Sequence, residues 1–255
     1  MAGNLSEVAK IMGVDQEMLM VYPKMKFEGN LLNPWGDELL NLFSLLDLAP
    51  QKTVLDIPCG QGGVAVYLAK EYGVQVDGYD LLPGFVENAN EYAAEKQVRD
   101  LCHFFVEDIR TVIAKDKEYD VVLWSAAPHL WKDYAQTVKN LRRCVKPNGY
   151  LVIADAYLNG EQYKSMEPDY ETLEQTLQSV VEHGDSIIKL KDYKGELWER
   201  SYQTDREAVR SAIDHADNQG EKEMLKKHME EVNQSERTDK EHFGLFILVL
   251  KINKN

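Results

Sequence analysis

The middle of the chain alternates between short apolar runs and helical runs, and this alternation restricts the possible folds more than any other feature. Strands separated by helices pair in parallel, because each right-handed crossover returns the chain to the end of the sheet at which the previous strand began. The run Val121-Val122-Leu123 is apolar on both faces, as expected of a strand between two helical layers. The sequence predicts strands at 53–57, 74–79, 101–106, 119–124 and 150–156, with helices at 64–71, 83–97 and 129–144.

The flanking segments predict helical additions and two further strands. Residues 1–50 are expected to form an N-terminal helical cap, and residues 51–255 an α/β domain. Strands predicted at 186–190 and 243–252 extend the sheet to seven strands, and a helix is predicted at 167–182. The charge-rich region at about 203–235 is expected to be a solvated helical hairpin inserted before the last strand.

A glycine-rich loop follows the first predicted strand, in the segment VLDIPCGQGG that begins at Val54. Glycines permit positive φ angles and a close approach of the backbone to a ligand, and the helix that follows offers free N–H groups. The spacing Gly60-x-Gly62-x-x-Ala65 also fits the dinucleotide-binding fingerprint. The loop alone therefore predicts a nucleotide site without choosing its ligand.

Two acidic residues narrow this choice. Asp56 lies four residues before Gly60, where its charge would repel a pyrophosphate and attract a cationic ligand. Its alternative role is to cap the loop by accepting backbone N–H bonds. Asp80 follows the second strand and matches the acid that binds ribose hydroxyls about 20 residues after such loops, the alternative being an exposed acid at the strand end.

Five segments then occur in the order typical of a known family. These are VLDIPCGQGG, VDGYDLLPGFVENAN, FFVEDIR, YDVVLWSAAPHL and LRRCVKPNGYLVIAD. Over about residues 53–155 the chain resembles class I S-adenosylmethionine-dependent methyltransferases. The resemblance implies a Rossmann-like, doubly wound, mostly parallel seven-stranded sheet with an antiparallel edge strand, and S-adenosyl-L-methionine as the cofactor. Pro58 departs from the family, which often has glycine there, and its fixed φ predicts a slightly different loop.

The resemblance also implies a role for each matching position. The glycine loop would hold the methionine end of the cofactor, and the ends of the next two strands would hold the ribose and the adenine. The positions are Asp56, Cys59, Gly60 and Gly62 in the loop, Asp80 at the ribose, Leu81, Asp108 and Ile109 around the adenine, and Ser125 and Ala126 near the methyl group.

His129 is the candidate catalytic residue, because it follows the fourth strand at the sheet edge where ligands bind in such folds. With an ordinary pKa of about 6.5 it could take a proton from an acceptor hydroxyl, thiol or amine, or it could only position the acceptor. Alignment and exclusion of water could by themselves supply about 7–11 kcal/mol. Aromatic candidates for the walls of the site, each of which could instead be plain core, are Tyr22, Trp35, Trp124, Trp131 and Tyr157.

Composition limits the partners. The chain has 29 basic and 43 acidic residues, a net charge of −14, which disfavours nucleic acid as a partner. It contains neither a run of about 18 apolar residues nor a signal segment at its N-terminus, so we expect a cytoplasmic protein without a membrane span. Three scattered cysteines predict neither disulfides nor a metal site.

The sequence thus favours transfer of a methyl group from S-adenosyl-L-methionine to a small-molecule acceptor. The alternatives are a methyltransferase that acts on RNA or protein, a non-catalytic module that binds S-adenosylmethionine, and a NAD-dependent oxidoreductase, against which Asp56 argues. The sequence leaves the acceptor and the oligomeric state open.

Overall fold

The computed structural model describes residues 2–11, 14–32, 34–115, 117–127, 130–167, 170–193, 195 and 197–254 of the 255-residue chain. Its strands are β1 (Thr53–Asp56), β2 (Gln75–Asp80), β3 (Cys102–Val106), β4 (Tyr119–Ser125), β5 (Val145–Leu158), β6 (Ser186–Tyr193) and β7 (Phe243–Lys251). Its helices are α1 (Ala2–Ile11), α2 (Gln16–Val21), α3 (Asp37–Leu42), α4 (Gly63–Tyr72), α5 (Pro83–Glu95), α6 (Ile109–Ile113), α7 (Tyr134–Leu141), α8 (Leu173–Val180), α9 (Trp198–Asp214) and α10 (Gln219–His242).

The strands form one sheet in the order β3-β2-β1-β4-β5-β7-β6. Strands β1 to β5 pair in parallel, whereas β7 pairs antiparallel with both β5 and β6. The mostly parallel, seven-stranded fold predicted from the sequence is thereby confirmed. The antiparallel strand is β7, and β6 lies outside it at the end of the sheet.

The two faces of the sheet bury separate apolar clusters, because side chains alternate along each strand. On one face, Val54, Val76 and Val121 pack with α3 and α4. On the other face, Leu55 and Val122 belong to a cluster that includes α6 and α7. Helices therefore cover both faces, as the doubly wound prediction requires.

The predicted helical hairpin is present as α9 and α10, and it packs against the N-terminal helices rather than standing free in solvent. Met18 and Val21 of α2 share an apolar cluster with Val209 and Leu225 of the hairpin. Lys24 adds ion pairs to Asp217 and Glu221 at 2.6 and 2.8 Å. The cap and the hairpin thus cover the same end of the sheet. None of the described helices is long and apolar enough to cross a membrane.

Several helix boundaries differ from the sequence predictions. The helix predicted at 129–144 is α7, which begins after Asp133 because that side chain accepts the Gln136 N–H at 2.8 Å. The helix predicted at 167–182 is the shorter α8, which Thr172 begins in a capping box with Gln175.

Two further differences concern the strands and the insertion. The strand predicted at 150–156 begins earlier in the structure, because β5 includes Pro147-Asn148-Gly149, a sequence typical of turns. There Asn148 adopts a φ of 62° and the pairing with β4 shifts register after Tyr119. The hairpin helices cover Trp198–Asp214 and Gln219–His242, beyond the expected limits of 203–235. Helix α6 was not predicted, since its five residues are too few to show a helical period.

Asp120 links the amino ends of three strands. Its carboxylate accepts bonds from Lys146 Nζ at 2.7 Å, from the Thr53 N–H at 2.9 Å and from Lys52 Nζ at 3.2 Å. Burial alone would raise the pKa of Asp120, but these hydrogen bonds lower it to about 2. Ionised Asp120 therefore stabilises the fold at neutral pH.

We expect Asp120→Asn to lower the free energy of unfolding by about 1–3 kcal/mol at pH 7, since the pKa of Asp120 is held at about 2, below the ordinary value of about 3.9 for an aspartate. The stabilisation is complete above about pH 4 and is lost as the pH falls toward 2, so urea unfolding at pH 7 and at pH 2.5 should show the difference shrinking. Asp100→Asn, at an exposed position, is the control. An equal loss at both pH values would contradict this account.

Candidate functional site

A cavity of about 700 Å³ lies at the carboxyl ends of β1, β2 and β4. Ligands bind at this end of the strands in open α/β sheets. The sheet forms one wall, and residues of the cap, among them Tyr22, Phe27 and Leu32, form a second. The third, here called the hairpin wall, consists of Tyr202, Asp205 and Val209 of α9 and His228, Glu231, Val232, Ser235 and Asp239 of α10.

The structure brings nearly all of the predicted cofactor residues to the sheet side of this cavity. They come from the ends of β1, β2 and β4 and from the start of α6. The lining residues among them are Asp56, Cys59, Gly60, Asp80, Leu81, Asp108, Ile109, Ser125 and Ala126. Gly62 does not line the cavity; with a φ of 81° it turns the chain into α4, and a Cβ there would lie 2.8 Å from that of Ala89. His129 lies outside the described residues.

Asp80, at the end of β2, stabilises the conformation of the glycine loop. It is 6% exposed, and its carboxylate accepts the Gly60 N–H at 3.0 Å and the Leu82 N–H at 2.9 Å. Burial raises the pKa of Asp80 to about 6 against the opposing effect of these backbone bonds. Each oxygen retains a lone pair, so Asp80 can also accept bonds from two vicinal hydroxyls. The alternative of an exposed strand-end acid is wrong.

Asp56 lies beneath the same loop and is 3% exposed. Burial, followed by the negative charge of Asp80, raises the pKa of Asp56 to about 8, against a smaller lowering by a hydrogen bond from the Ala65 backbone. Asp56 thus accepts a backbone N–H from the first turn of α4, and no lysine or arginine within the described residues forms an ion pair with it. A positively charged ligand would favour its ionised form.

The adenine side of the predicted site is braced by an ion-pair network that the sequence did not reveal. Asp108 accepts the Arg110 N–H at 2.8 Å, which begins α6, and also binds the Arg110 guanidinium at 2.8 Å. That guanidinium bonds Glu7 of α1 at 3.0 and 2.9 Å. The hydrogen bonds from Arg110 lower the pKa of Asp108. The N-terminal helix is thereby tied to this end of the cavity.

The segment after β4 forms the floor. Ser125 is buried, and Ala126 adopts a φ of 48°, a conformation that few residues other than glycine take, while its N–H bonds the Ala154 carbonyl at 3.0 Å. Such strained residues are concentrated at functional sites. Of the five predicted aromatic candidates, Tyr22 lines the cavity; Trp35, Trp124 and Tyr157 are buried core, and Trp131 packs on Trp124 at 5.3 Å between ring centroids.

The hairpin wall was missed at the sequence level, where this region was interpreted as a solvated face. The signal that could have revealed it is the helical spacing of residues 228, 231, 232, 235 and 239, which share one face of α10. Val232 is an apolar residue within that otherwise polar face. Among the described residues, no group of three or more His, Cys, Asp and Glu side chains is arranged to hold a metal ion.

Comparisons with known proteins agree with this geometry. Residues 54–149 match a family model described as a methyltransferase domain. The chain is 42% identical over 110 residues to 2-methyl-6-phytyl-1,4-hydroquinone methyltransferase of Synechocystis, covering 42% of this chain and 33% of that protein. It is 34% identical over 124 residues to the probable chloroplastic tocopherol O-methyltransferase of rice, covering 48% and 32%. The matched part spans about a third of each relative.

Solved structures share the fold over nearly the whole chain. YjhP of Escherichia coli has a TM-score of 0.78 at 19% identity and covers 92% of this chain and 99% of that one. A methyltransferase of Thiobacillus denitrificans, solved with S-adenosyl-L-homocysteine, has a TM-score of 0.75 at 20% identity over 88% and 94%. The fold is therefore that of Rossmann-like methyltransferases. Within this fold, residues 54–149 are similar to a methyltransferase domain.

We expect Asp56→Asn to stabilise the free protein increasingly as the pH rises. Because the pKa of Asp56 is higher in the folded protein than in the unfolded chain, the wild type loses stability between about pH 4 and pH 8, and the variant does not. One proton corresponds to at most about 1.4 kcal/mol per pH unit. Urea unfolding from pH 5 to pH 9, with exposed Asp47→Asn as the control, measures the gap. A gap that stays constant with pH would show that Asp56 is not held in this state.

Proposed function

We propose that this protein transfers a methyl group from S-adenosyl-L-methionine to a small-molecule acceptor bound in the cavity. The observation that carries the proposal is the pair of buried carboxylates, Asp56 and Asp80, beneath a glycine loop within the matched methyltransferase domain. The names of the hydroquinone and tocopherol relatives support a small acceptor, as does the cavity of about 700 Å³, a size typical of small-molecule sites.

The residues of the sheet wall fit this cofactor. Burial raises the pKa of both Asp56 and Asp80, and the charge of Asp80 raises that of Asp56 further. A ligand with an ammonium and a sulfonium charge would offset this cost of ionisation. Such a ligand would also present two ribose hydroxyls to Asp80. When bound, the cofactor supplies an electrophilic methyl carbon.

Each part of the chain then has a separate task. Asp56 would hold the ammonium group, Asp80 the ribose, and Leu81 with Ile109 the faces of the adenine. Cap residues such as Phe27 and Leu32 cover the cavity and exclude water, which strengthens every charge interaction inside it. The backbone at Ser125 and Ala126 would set the distance between the methyl group and the acceptor. His129 remains a proposed base or positioning group.

Partners and location follow from charge and cysteine chemistry. The net charge of −14 disfavours nucleic acid as the acceptor. All three cysteines are free and buried, as is usual in a reducing compartment, so we propose a cytoplasmic location. We also propose the division into a cap at 1–50 and a cofactor-binding domain at 51–255 that includes the hairpin.

The first experiment is a calorimetric titration with S-adenosyl-L-methionine, S-adenosyl-L-homocysteine and NAD. Binding of both sulfur compounds without NAD supports the proposal, and release of S-adenosyl-L-homocysteine in the presence of an acceptor separates an enzyme from a non-catalytic binding module. Binding of NAD alone would overturn the proposal in favour of an oxidoreductase.

Asp80→Ala should weaken the binding of both sulfur compounds by about 1.5–3 kcal/mol, the range for hydrogen bonds to a charged group. Asp77→Ala is the matched control, because Asp77 lies on the same strand but bonds Lys117 and Tyr119 away from the cavity lining. Since Asp80 also bonds the loop, both variants are compared by urea unfolding first. Unchanged affinity in a folded Asp80→Ala variant would remove the ribose assignment.

A further inference from the structure

The charges that line the cavity are strongly unbalanced. Among the described lining residues there are six carboxylates and one guanidinium, that of Arg110. Arg110 is already bonded to Asp108 and Glu7. The hairpin wall contributes three of these carboxylates, those of Asp205, Glu231 and Asp239. Its described lining residues include no lysine or arginine.

The three carboxylates of the hairpin wall differ in how far they are satisfied. Asp239 accepts a hydrogen bond from the Tyr202 hydroxyl. Glu231 lies 3.5 Å from His228 Nδ1 and 3.6 Å from Lys227 Nζ. Asp205 has no hydrogen-bond or ion-pair partner within the described part of the chain, since the neighbouring Arg206 bonds Glu236 at 2.8 Å. Burial raises the pKa of Asp205 to about 6, against a smaller lowering by the charge of Arg206, and a cationic ligand would favour the ionised carboxylate.

An aromatic side chain lies beside these acids. Tyr22 contributes its ring to the cavity, and the ring centroids of Tyr22 and His228 are 5.4 Å apart. Burial raises the pKa of Tyr22, and the charges of Glu231 and Asp205 raise it further, which places all three groups within electrostatic reach. Carboxylates beside an aromatic ring are a suitable environment for an organic cation.

We propose that the acceptor is a primary or secondary amine with an apolar body, bound as its ammonium ion between Asp205, Glu231 and Tyr22. This inference rests on the proposed function and names its substrate class. A carboxylate or phosphate ester would be repelled by this wall. A neutral alcohol would leave the negative charge of Asp205 uncompensated.

His228 supplies the proton acceptor that such a substrate needs. Burial lowers the pKa of His228, against the raising effect of Glu231, so the imidazole is neutral near pH 7.5. The ammonium ion gives one proton to this imidazole, and the freed lone pair of nitrogen forms the bond to the methyl carbon. The bond from that carbon to sulfur breaks, and its electron pair stays on sulfur. The methylated ammonium product, S-adenosyl-L-homocysteine and one proton account for all atoms and charges.

The test measures binding of three probes of similar size: 2-phenylethylamine, 2-phenylethanol and phenylacetate. Each is titrated calorimetrically into the full-length protein with and without saturating S-adenosyl-L-homocysteine. We expect the amine to bind at least about 10-fold more tightly than the alcohol, the ratio expected of a charge-assisted hydrogen bond, and phenylacetate to bind most weakly. Equal binding of the amine and the alcohol, or tighter binding of phenylacetate, would overturn the proposal.

Asp205→Asn is the decisive variant, because asparagine keeps the size of the side chain and removes the charge. It should weaken 2-phenylethylamine binding by about 10-fold and leave 2-phenylethanol binding within about 2-fold. Asp214→Asn, on the exposed side of the same helix, is the control. If both variants weaken the amine equally, the effect belongs to the overall charge of the protein and the assigned site is wrong.

The role of His228 is tested by separating rate from affinity. With labelled S-adenosyl-L-methionine and mass-spectrometric detection of methylated 2-phenylethylamine, His228→Gln should lower the transfer rate by about 100-fold or more, with little change in amine affinity. A loss of affinity at an unchanged rate would remove the imidazole from the chemistry.

The binding data distinguish an error in the amine class from an error in the methyltransferase function. If S-adenosyl-L-homocysteine binds and the amine does not, the methyltransferase function stands and the amine class is wrong. If the amine binds and neither sulfur compound does, the hairpin wall is a cation site and the proposed function is wrong.

Discussion

The rest of this structure depends on two carboxylates buried side by side at the ends of adjacent parallel strands. Asp80 fixes the glycine loop through the N–H groups of Gly60 and Leu82, and Asp56 lies beneath it. Burial disfavours the charge of both, so the free protein holds this site at a cost in stability. Two apolar clusters on the faces of the sheet offset that cost. Under the proposed function, a cationic ligand would reduce this cost.

The part of the fold that could be predicted from sequence is the part set by local patterns. Strands β1 to β4 lie within one or two residues of the predicted limits, because glycine, proline or polar residues bound each of these short segments. The observed starts of α7 and β5 differ from the predicted ones, because interactions that no local pattern shows set them. The Asp133 side chain begins α7, and pairing with β4 draws Pro147-Asn148-Gly149 into an irregular strand despite its turn composition.

The same division applies to the site. Asp56, Gly60 and Asp80 were predictable because loop, strand and helix are contiguous in sequence, so spacing alone brings them together. The tie between Glu7 and Arg110 joins residues 103 positions apart, and no local pattern indicates it. Asp205 and His228 were missed because a charged helix resembles a solvated one until the surface against which it packs is known.

The two walls of the cavity also differ in how far other proteins share their sequence. The matched domain at 54–149 contains the whole sheet wall of the cavity, whereas the hairpin wall comes from α9 and α10, about fifty residues further along the chain. A relative that shares only the first region shares the means of holding a cofactor. Under the proposed function, the acceptor would meet a wall built from a different segment, packed on Met18 and Val21 of the cap. The choice of acceptor could then change through the hairpin and the cap while Asp56, Asp80 and the glycine loop keep their geometry.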